Sequence, residues 1–273
     1  MEQLERQQII ALVKREVVPA IGCTEPMAVA LCVARATEIL GHRPEKVTAL
    51  LSANILKNAM GVGIPGTGMI GLPIAIALGA LIGRSEYQLE VLKDCTPQAV
   101  NEGKQFIDEK RIHIALKDGI EEKLYIEVIC QTGTEQATAV IAGGHTDFRY
   151  LARNGEVLLD KQSVSAAEEE ETAPELNLHK VYEFATTAPL DEIRFILETA
   201  RINKAAAEQS FQGDYGHGLG KMLRGNYEHR IMGDSVFSHI LSYTSGACDA
   251  RMAGAMIPVM SNSGSGNQGI SAT

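Results

Sequence analysis

Apolar and polar residues follow two different periods along this chain, and the change between them divides the sequence. In residues 1–110 the apolar positions recur every three or four residues, which predicts helices. In residues 111–161 they alternate or form β-branched runs between turn signals, which predicts an antiparallel sheet. From residue 178 onwards the helical period returns. The pattern favours an α+β fold, with a mainly helical body and an antiparallel sheet unit in the middle of the chain.

The individual elements follow from these periods. The predicted helices are 2–18, 26–40, 72–82, 97–109, 178–187, 190–209, 218–224 and 229–255. The stretch "KVTALLSANIL" (46–56) mixes β-branched and apolar residues and predicts a strand. "LKDG" (116–119) and "TGTE" (132–135) are typical of hairpin turns.

These patterns predict four segments. Residues 1–110 form a helical N-terminal part, and 111–161 form the sheet unit. Residues 162–177 are polar, acidic and alanine-rich, which predicts a linker. Residues 178–273 form a second helical part that ends in a Ser/Gly/Asn loop. No supporting element is predicted after this loop, so we expect that the chain is C-terminally truncated.

The composition and charge of the chain indicate which kinds of partner and which cellular compartment to expect. The 273 residues carry a net charge of −9, which argues against nucleic acid or an anionic membrane as the main partner. The longest apolar stretch, 69–83, is too short and too rich in Gly and Pro to predict a membrane span. The N-terminus lacks the apolar segment of a signal peptide. Five scattered cysteines form no CxxC pair, so we expect a protein of the reducing cytoplasm.

One of the cysteines stands where a helix should begin. In "AIGCTEPMAVAL" (20–31), Thr24 is a good N-cap and Pro26 suits the first turn. The N-terminal end of a helix favours a thiolate, so Cys23 is a candidate nucleophile or metal ligand. The alternative is a small apolar residue that fills a turn.

Glycine-rich loops supply the next candidates. "SNSGSGNQG" (261–269) combines polar side chains with free backbone amides, which suits a small carboxylate or phosphate. The candidate substrate-binding residues are Ser261, Asn262, Ser263 and Asn267. The alternative is a flexible Ser/Gly linker. Two GxGxxG matches, at 61–66 and 264–269, lack the strand or helix that a nucleotide site requires, so we expect no nucleotide binding.

Four further residues are candidates for catalysis. Lys57 and Asn58 precede the first glycine loop, and His217 stands between two glycines in "YGHGLG". A lysine or histidine near a carboxylate site can act as a base, although each is more commonly a solvated surface residue. His229 is a similar candidate. In "CDARMAGAM" (248–256), small residues imply tight helix packing, which predicts a buried, structural Asp249–Arg251 pair.

Several long motifs occur together in a characteristic order. They are "AIGCTEPMAVAL", "LKNAMGVGIPGTGMIGLPIAIALG" and "DARMAGAMIPVMSNSGSGNQGI". Together they resemble the L-cysteine desulfidase family, which is related to the α subunit of the iron–sulfur L-serine dehydratases. The resemblance extends from Cys23 to Gly269.

The resemblance implies an oxygen-labile [4Fe–4S] cluster on three cysteines, with one iron open to substrate and no pyridoxal phosphate. Cys23 corresponds to the first ligand. The family's other two ligands lie C-terminal to the Ser/Gly/Asn loop, so we expect them beyond Thr273. The implied reaction is β-elimination of L-cysteine to pyruvate, ammonia and sulfide.

Two alternatives stay open at the level of sequence. L-Serine dehydratase activity would use the same mechanism, with Lys57 or His217 as the base. A non-catalytic, truncated form would bind a small amino acid without a cluster. In either case we expect a small amino-acid ligand and a homo-oligomer, with no nucleic-acid or membrane partner.

Overall fold

The computed structural model describes residues 1–161, 174–224, 233 and 235–273. In this part of the chain helices surround a six-stranded sheet, which confirms the α+β class. The helices are α1 Gln3–Glu16, α2 Thr24–Leu40, α3 Ala53–Ala59, α4 Leu72–Leu81, α5 Pro97–Asp108, α6 Leu178–Thr187, α7 Leu190–Ile193, α8 Leu197–Ser210, α9 Leu219–Leu223, α10 Val236–Met252 and α11 Gly266–Ala272. The strands are β1 Pro19–Ile21, β2 Lys46–Leu51, β3 Gly63–Ile64, β4 Met69–Ile70, β5 Ile112–Leu116, β6 Tyr125–Thr132, β7 Glu135–Ala142, β8 Phe148–Arg153, β9 Glu156–Asp160 and β10 Pro258–Met260.

The large sheet has the strand order β5-β2-β6-β7-β8-β9. All neighbours are antiparallel except β2 and β5, which run parallel. The "TGTE" turn joins β6 to β7, as predicted. The "LKDG" prediction is wrong, because β2 lies between β5 and β6 and pairs with both. A strand from the N-terminal part therefore completes the sheet of the middle segment.

The main core lies between this sheet and two helices. Helix α2 is buried along most of its length, and its Cys32 thiol donates to the carbonyl oxygen of Ala139 in β7 at 3.3 Å. Helix α4 packs against α2 at Gly79, where an added Cβ would lie 2.7 Å from the Ala30 carbonyl oxygen. The absence of a side chain at this position lets the two backbones approach closely.

The strand predicted over 46–56 is shorter in the structure. It ends at Leu51, because the Ser52 hydroxyl accepts a hydrogen bond from the Ile55 amide at 3.4 Å and caps α3. Serine is a favoured N-cap residue, so a helix begins directly after Ser52. Ile55 therefore reaches the core from helix α3 and not from a strand. The cap turns the chain, so that Asn58 on α3 is carried towards the head of α2.

A smaller core holds the second helical part together, with α8 and α10 packed against β10 and α11. Strand β10 pairs antiparallel with β1, so the two ends of the described chain meet. The helix predicted over 190–209 is divided into α7, a 3-10 turn at Arg194–Ile196, and α8. The expectation that no element follows the last glycine loop is wrong, since α11 begins at Gly266.

Some predictions fall outside the described residues. Of the linker predicted over 162–177, the structure describes 174–177. His229 also lies outside, and the helix predicted over 229–255 is observed as α10, which starts at a capping box on Ser235. None of the helices in the described chain is long and apolar enough to cross a membrane.

Candidate functional site

A cavity of about 250 Å³ opens where the head of α2 meets α3, the end of α10 and the loop before α11. Most of its lining residues are polar or charged. They are Cys23, Thr24, Glu25, Asn58, Val62, Arg251, Met252, Gly264, Ser265 and Asn267. The cavity therefore collects residues from both ends of the sequence, because the β1–β10 pairing brings those ends together.

Cys23 is the N-cap residue of α2, one position earlier than the Thr24 cap expected from sequence. Its side chain is buried, and Sγ donates a hydrogen bond to Glu25 Oε2 at 3.0 Å. Burial, together with the negative charge of Glu25, raises the pKa of Cys23 to about 12, although the Arg251 guanidinium acts in the opposite direction. In the absence of a metal ion, Cys23 is therefore a protonated thiol at neutral pH.

Glu25 is the carboxylate of the cavity. Its Oε2 accepts hydrogen bonds from Cys23 Sγ and from Thr24 Oγ1, each at 3.0 Å, and Asn58 Nδ2 donates to Oε1 at 3.5 Å. Burial acts to raise the pKa of Glu25, but the bonds from Cys23, its own amide and Thr24 lower the pKa below its usual value, helped by the nearby His145. Glu25 is consequently ionised at neutral pH.

Arg251 is the cation of the cavity and is only 4% exposed. Its Nε donates to the Gly22 carbonyl oxygen at 3.0 Å, and its Nη1 donates to Asn267 Oδ1 at 2.9 Å. These two bonds connect the end of α10 to the turn before α2 and to α11. Among the described residues no carboxylate lies within salt-bridge distance of the guanidinium.

The predicted Asp249–Arg251 pair is wrong. Residues two apart on a helix point in different directions, so the side chains cannot face each other. Asp249 instead accepts hydrogen bonds from the backbone amides of His217 at 3.4 Å and Leu219 at 2.8 Å. Asp249 therefore fixes the start of α9, whereas the Arg251 side chain lines the cavity.

The glycines of the Ser/Gly/Asn loop make room for two of these side chains. A Cβ on Gly266 would lie 2.3 Å from Arg251 Nε. A Cβ on Gly264, which has a φ of +72°, would lie 2.3 Å from His145 Nδ1. The loop was predicted to bind ligand through its polar side chains, but in the structure its glycines matter as well, because they let Arg251 and His145 approach the backbone.

His145 is a site residue that the sequence analysis missed. It lies in the turn between β7 and β8, partly buried beside the cavity. Burial lowers the pKa of His145; the charge of Glu25 raises it and that of Arg251 lowers it further. A neutral imidazole that interacts with both a carboxylate and a guanidinium can accept a proton at neutral pH. Its signal in the sequence was a histidine directly after two glycines, in "AGGHTDF".

Three of the predicted site residues meet at the cavity: Cys23, Asn58 and Asn267. Lys57 is exposed on α3 and does not line the cavity, nor does His217, which is exposed before α9. Their assignment to catalysis stays a prediction from sequence.

The remaining predicted contacts hold the loop in place. The Ser261 hydroxyl is buried and donates to the Val18 carbonyl oxygen at 2.8 Å. The Ser263 hydroxyl donates to Asn262 Oδ1 at 3.1 Å, and the Ser263 amide donates to the Glu16 carbonyl oxygen. None of the three lines the cavity, and these bonds tie the loop to the chain between α1 and β1.

The family model for the serine dehydratase alpha chain matches residues 86–273. The chain belongs to this family. The matched segment contains Arg251 and the glycine loop, while Cys23, Glu25 and Asn58 precede it.

Proteins similar to this chain over nearly its whole length carry the name UPF0597 protein. That of Bacteroides thetaiotaomicron is 76% identical over 273 residues, which are all of this chain and 64% of the relative. Those of Parabacteroides distasonis and Photobacterium profundum are 57% and 45% identical, over 100% and 97% of this chain and 64% and 62% of the relatives. The chain thus spans less than two thirds of the length of these relatives. No solved structure matches it.

The described residues bring a single thiol, that of Cys23, to the cavity. Cys32 and Cys130 are buried in the main core, and Cys95 and Cys248 are partly buried away from the cavity lining. In the described part of the chain no three side chains of His, Cys, Asp or Glu are arranged to hold a metal ion. A cluster with three protein ligands therefore needs two more than this part of the chain brings to the cavity.

Proposed function

We propose that this chain is the substrate-binding part of an amino-acid lyase that eliminates the β-substituent of L-cysteine, with L-serine as the nearest competitor. The observation that carries the proposal is the cavity. It combines Cys23 at a helix start with Glu25, Arg251 and two asparagine amides, in a chain of the serine dehydratase alpha family. The products would be pyruvate and ammonia, together with sulfide from L-cysteine; with L-serine, the water that is eliminated is consumed again when aminoacrylate is hydrolysed.

We also propose that the protein works with a [4Fe–4S] cluster and without pyridoxal phosphate. Cys23 would be one ligand, and the others would come from sequence that the longer relatives possess. When bound, such a cluster supplies a Lewis acid next to the leaving thiol or hydroxyl. Since the described residues provide one ligand of three, nothing further is derived from the cluster.

The residues of this chain account for the proton transfer. A base must take the Cα proton while the bond from Cβ to sulfur or oxygen breaks, which yields aminoacrylate. Hydrolysis of aminoacrylate then gives pyruvate and ammonia. We assign the base to His145, since its imidazole lies beside the cavity and its pKa is lowered by burial. His145, Lys57 and His217 all lie outside the cavity lining, but His145 packs against the lining residue Gly264, where an added Cβ would lie 2.3 Å from Nδ1. Lys57 and His217 are exposed.

The state of the cysteines bears on the cellular compartment of the protein. All five cysteines are free, which supports a reducing compartment, and we propose the cytoplasm. The homo-oligomer expected from sequence stays a prediction, for which light scattering after gel filtration is the measurement.

The deciding experiment compares this chain with the same protein expressed at the length of its relatives. Both are reconstituted anaerobically with iron and sulfide, and their iron content and pyruvate release from L-cysteine and L-serine are measured. We expect the longer form to hold iron and release pyruvate. Cys23→Ser should remove both, while the matched control Cys248→Ser should keep them. Iron binding that does not depend on Cys23 would contradict the proposal.

A second candidate function is binding without turnover. It is favoured by the single thiol at the cavity. In that case neither form would release pyruvate, and both would bind a small amino acid with the same affinity before and after reconstitution.

A further inference from the structure

The cavity contains two opposite charges, and no salt bridge joins them in the described chain. Glu25 is held by Cys23, Thr24 and Asn58, and the guanidinium of Arg251 is held by neutral oxygens of Gly22 and Asn267. Both side chains line the same space. A buried cation without a paired anion is expensive, so the surroundings of Arg251 are expected where a ligand supplies the missing charge. Glu25, which is partly buried and also interacts with His145, offers a negative charge on the same cavity.

Arg251 has a free donor for such a ligand. Its Nε and Nη1 are used by the protein, whereas Nη2 has no hydrogen-bond partner in the described chain. Every side-chain nitrogen or oxygen of the described chain that is sealed from solvent has a hydrogen-bond partner. Because Nη2 has no partner, this atom is in contact with solvent, although Arg251 as a whole is only 4% exposed. Gly266 leaves the space for this arrangement, because a Cβ there would collide with the guanidinium.

We propose that the cavity binds a free α-amino acid as its zwitterion, with the α-carboxylate on Arg251 and the α-ammonium on Glu25. This inference rests on the proposed function and names how its substrate is held. The volume of about 250 Å³ suits a small amino acid and is below the usual range for drug-sized ligands. The pairing selects against amines and simple carboxylic acids, since each lacks one of the two charges.

The test measures binding to the 273-residue chain without iron, under reducing conditions, by calorimetry. The ligands are L-serine, L-serinamide, which lacks the carboxylate, and 3-hydroxypropionate, which lacks the ammonium. We expect L-serine to bind with a Kd of about 1 mM or below. Loss of either charge should weaken binding by about tenfold or more, because a charged hydrogen bond is lost.

Variants assign each charge to its residue. Arg251→Gln should remove the preference for L-serine over L-serinamide, and Glu25→Gln should remove the preference over 3-hydroxypropionate. The matched controls are Arg201→Gln and Glu198→Gln, which change an exposed ion pair on α8 and should leave both preferences intact. Arg251→Lys keeps the charge and should retain part of the carboxylate preference. If Arg251→Gln does not fold, Arg251→Lys is the test of the carboxylate contact: without the planar guanidinium the preference for L-serine over L-serinamide should fall, and an unchanged preference would contradict the assignment.

Three outcomes overturn the proposal: no L-serine binding up to about 10 mM, equal binding of 3-hydroxypropionate, or preferences that survive in both variants. These failures are separable from failure of the proposed function. Zwitterion binding without pyruvate release in the longer form would leave the site standing and remove the lyase assignment. If Arg251→Gln releases pyruvate with an unchanged KM and an unchanged ligand preference, the lyase assignment stands and the proposed mode of amino-acid binding is wrong.

Discussion

At the residue scale, the candidate site depends on a few polar side chains that lie between distant parts of the chain. Arg251 joins the end of α10 to the turn before α2, and Asn203 on α8 joins β10 to α11. Both are buried, and each makes at least one hydrogen bond to a backbone group of a distant segment. Because a buried polar atom is costly when its partner is removed, single substitutions here should have large effects.

Asn203→Ala should destabilise the protein by about 3 kcal/mol. The side chain accepts from the Met260 amide at 2.7 Å and donates to the Gly269 carbonyl oxygen at 3.1 Å, and both groups would lose a partner. Urea unfolding measures the change. Lys204→Ala, on the exposed side of the same helix, is the control and should stay within about 0.5 kcal/mol. An equal effect of both variants would contradict the role given to Asn203.

His145→Gln should reduce the acid sensitivity of folding. The pKa of His145 is lowered from 6.5 by burial, so the unfolded chain binds this proton more readily than the folded chain. The free energy of unfolding is therefore highest above pH 6.5, the pKa of His145 in the unfolded chain, where the imidazole is neutral in both states. It falls as the pH drops from 6.5 towards the lower pKa of His145 in the folded chain. Urea unfolding at a series of pH values should show a shallower decline in the variant. His113→Gln, at an exposed position, is the control; a wild-type slope in His145→Gln would contradict the prediction.

At the element scale, the position of the cavity depends on how closely helices and loops approach each other. Helix α4 lies on α2 at Gly79, and α2 in turn presents Cys23 and Glu25 at its start. The packing of α2 on β6 and β7 fixes the helix from its other side. Because protein cores are closely packed, a change in the spacing of α2 and α4 should disturb the packing of the other core residues and lower the stability of the protein.

Gly79→Ala should destabilise the protein by about 1–3 kcal/mol, although alanine favours helix formation. The new Cβ would lie 2.7 Å from the Ala30 carbonyl oxygen and 3.1 Å from Val33 Cβ, so the helices would have to separate. Thermal unfolding measures the effect. Gly61→Ala is the matched control, since nothing lies within 4 Å of its Cβ position. A Gly79→Ala variant as stable as Gly61→Ala would show that the helices can adjust without loss.

At the scale of the whole molecule, stability should be uneven. Helices α2 and α4 are almost entirely buried, whereas α6 and α7 contain no buried residue. These two helices attach to α1 through ion pairs such as Lys180–Glu5 at 2.8 Å and Arg6–Glu192 at 2.8 Å. Ion pairs that are partly exposed contribute little, so α6 and α7 should open more easily than the core.

Hydrogen exchange should order the elements accordingly. In the 273-residue chain we expect the amides of α6 and α7 to exchange first and those of α2 and α4 last, measured by mass spectrometry. Addition of L-serine should slow exchange at the start of α2 and at α11, and it should leave α6 unchanged. Protection of α6 equal to that of α4 would contradict the prediction.

The sequence by itself determined the fold class, most of the helices and the relation to the serine dehydratase alpha chain, because local periodicity and long motifs are properties of adjacent residues. Cys23 was recognisable because a helix start has its own residue preferences. The strand predicted over 46–56 was too long because one serine cap outweighed the β-branched residues around it.

Only the tertiary structure decided which residues share the cavity. The β1–β10 pairing brings Cys23 and Glu25 to Arg251, more than two hundred positions away in sequence, and the turn at His145 reaches the same place from the sheet. The hydrogen bonds from the His217 and Leu219 amides to Asp249 depend on how α9 packs against α10. Contacts of this kind arise from chain segments far apart in sequence, and no local pattern records them.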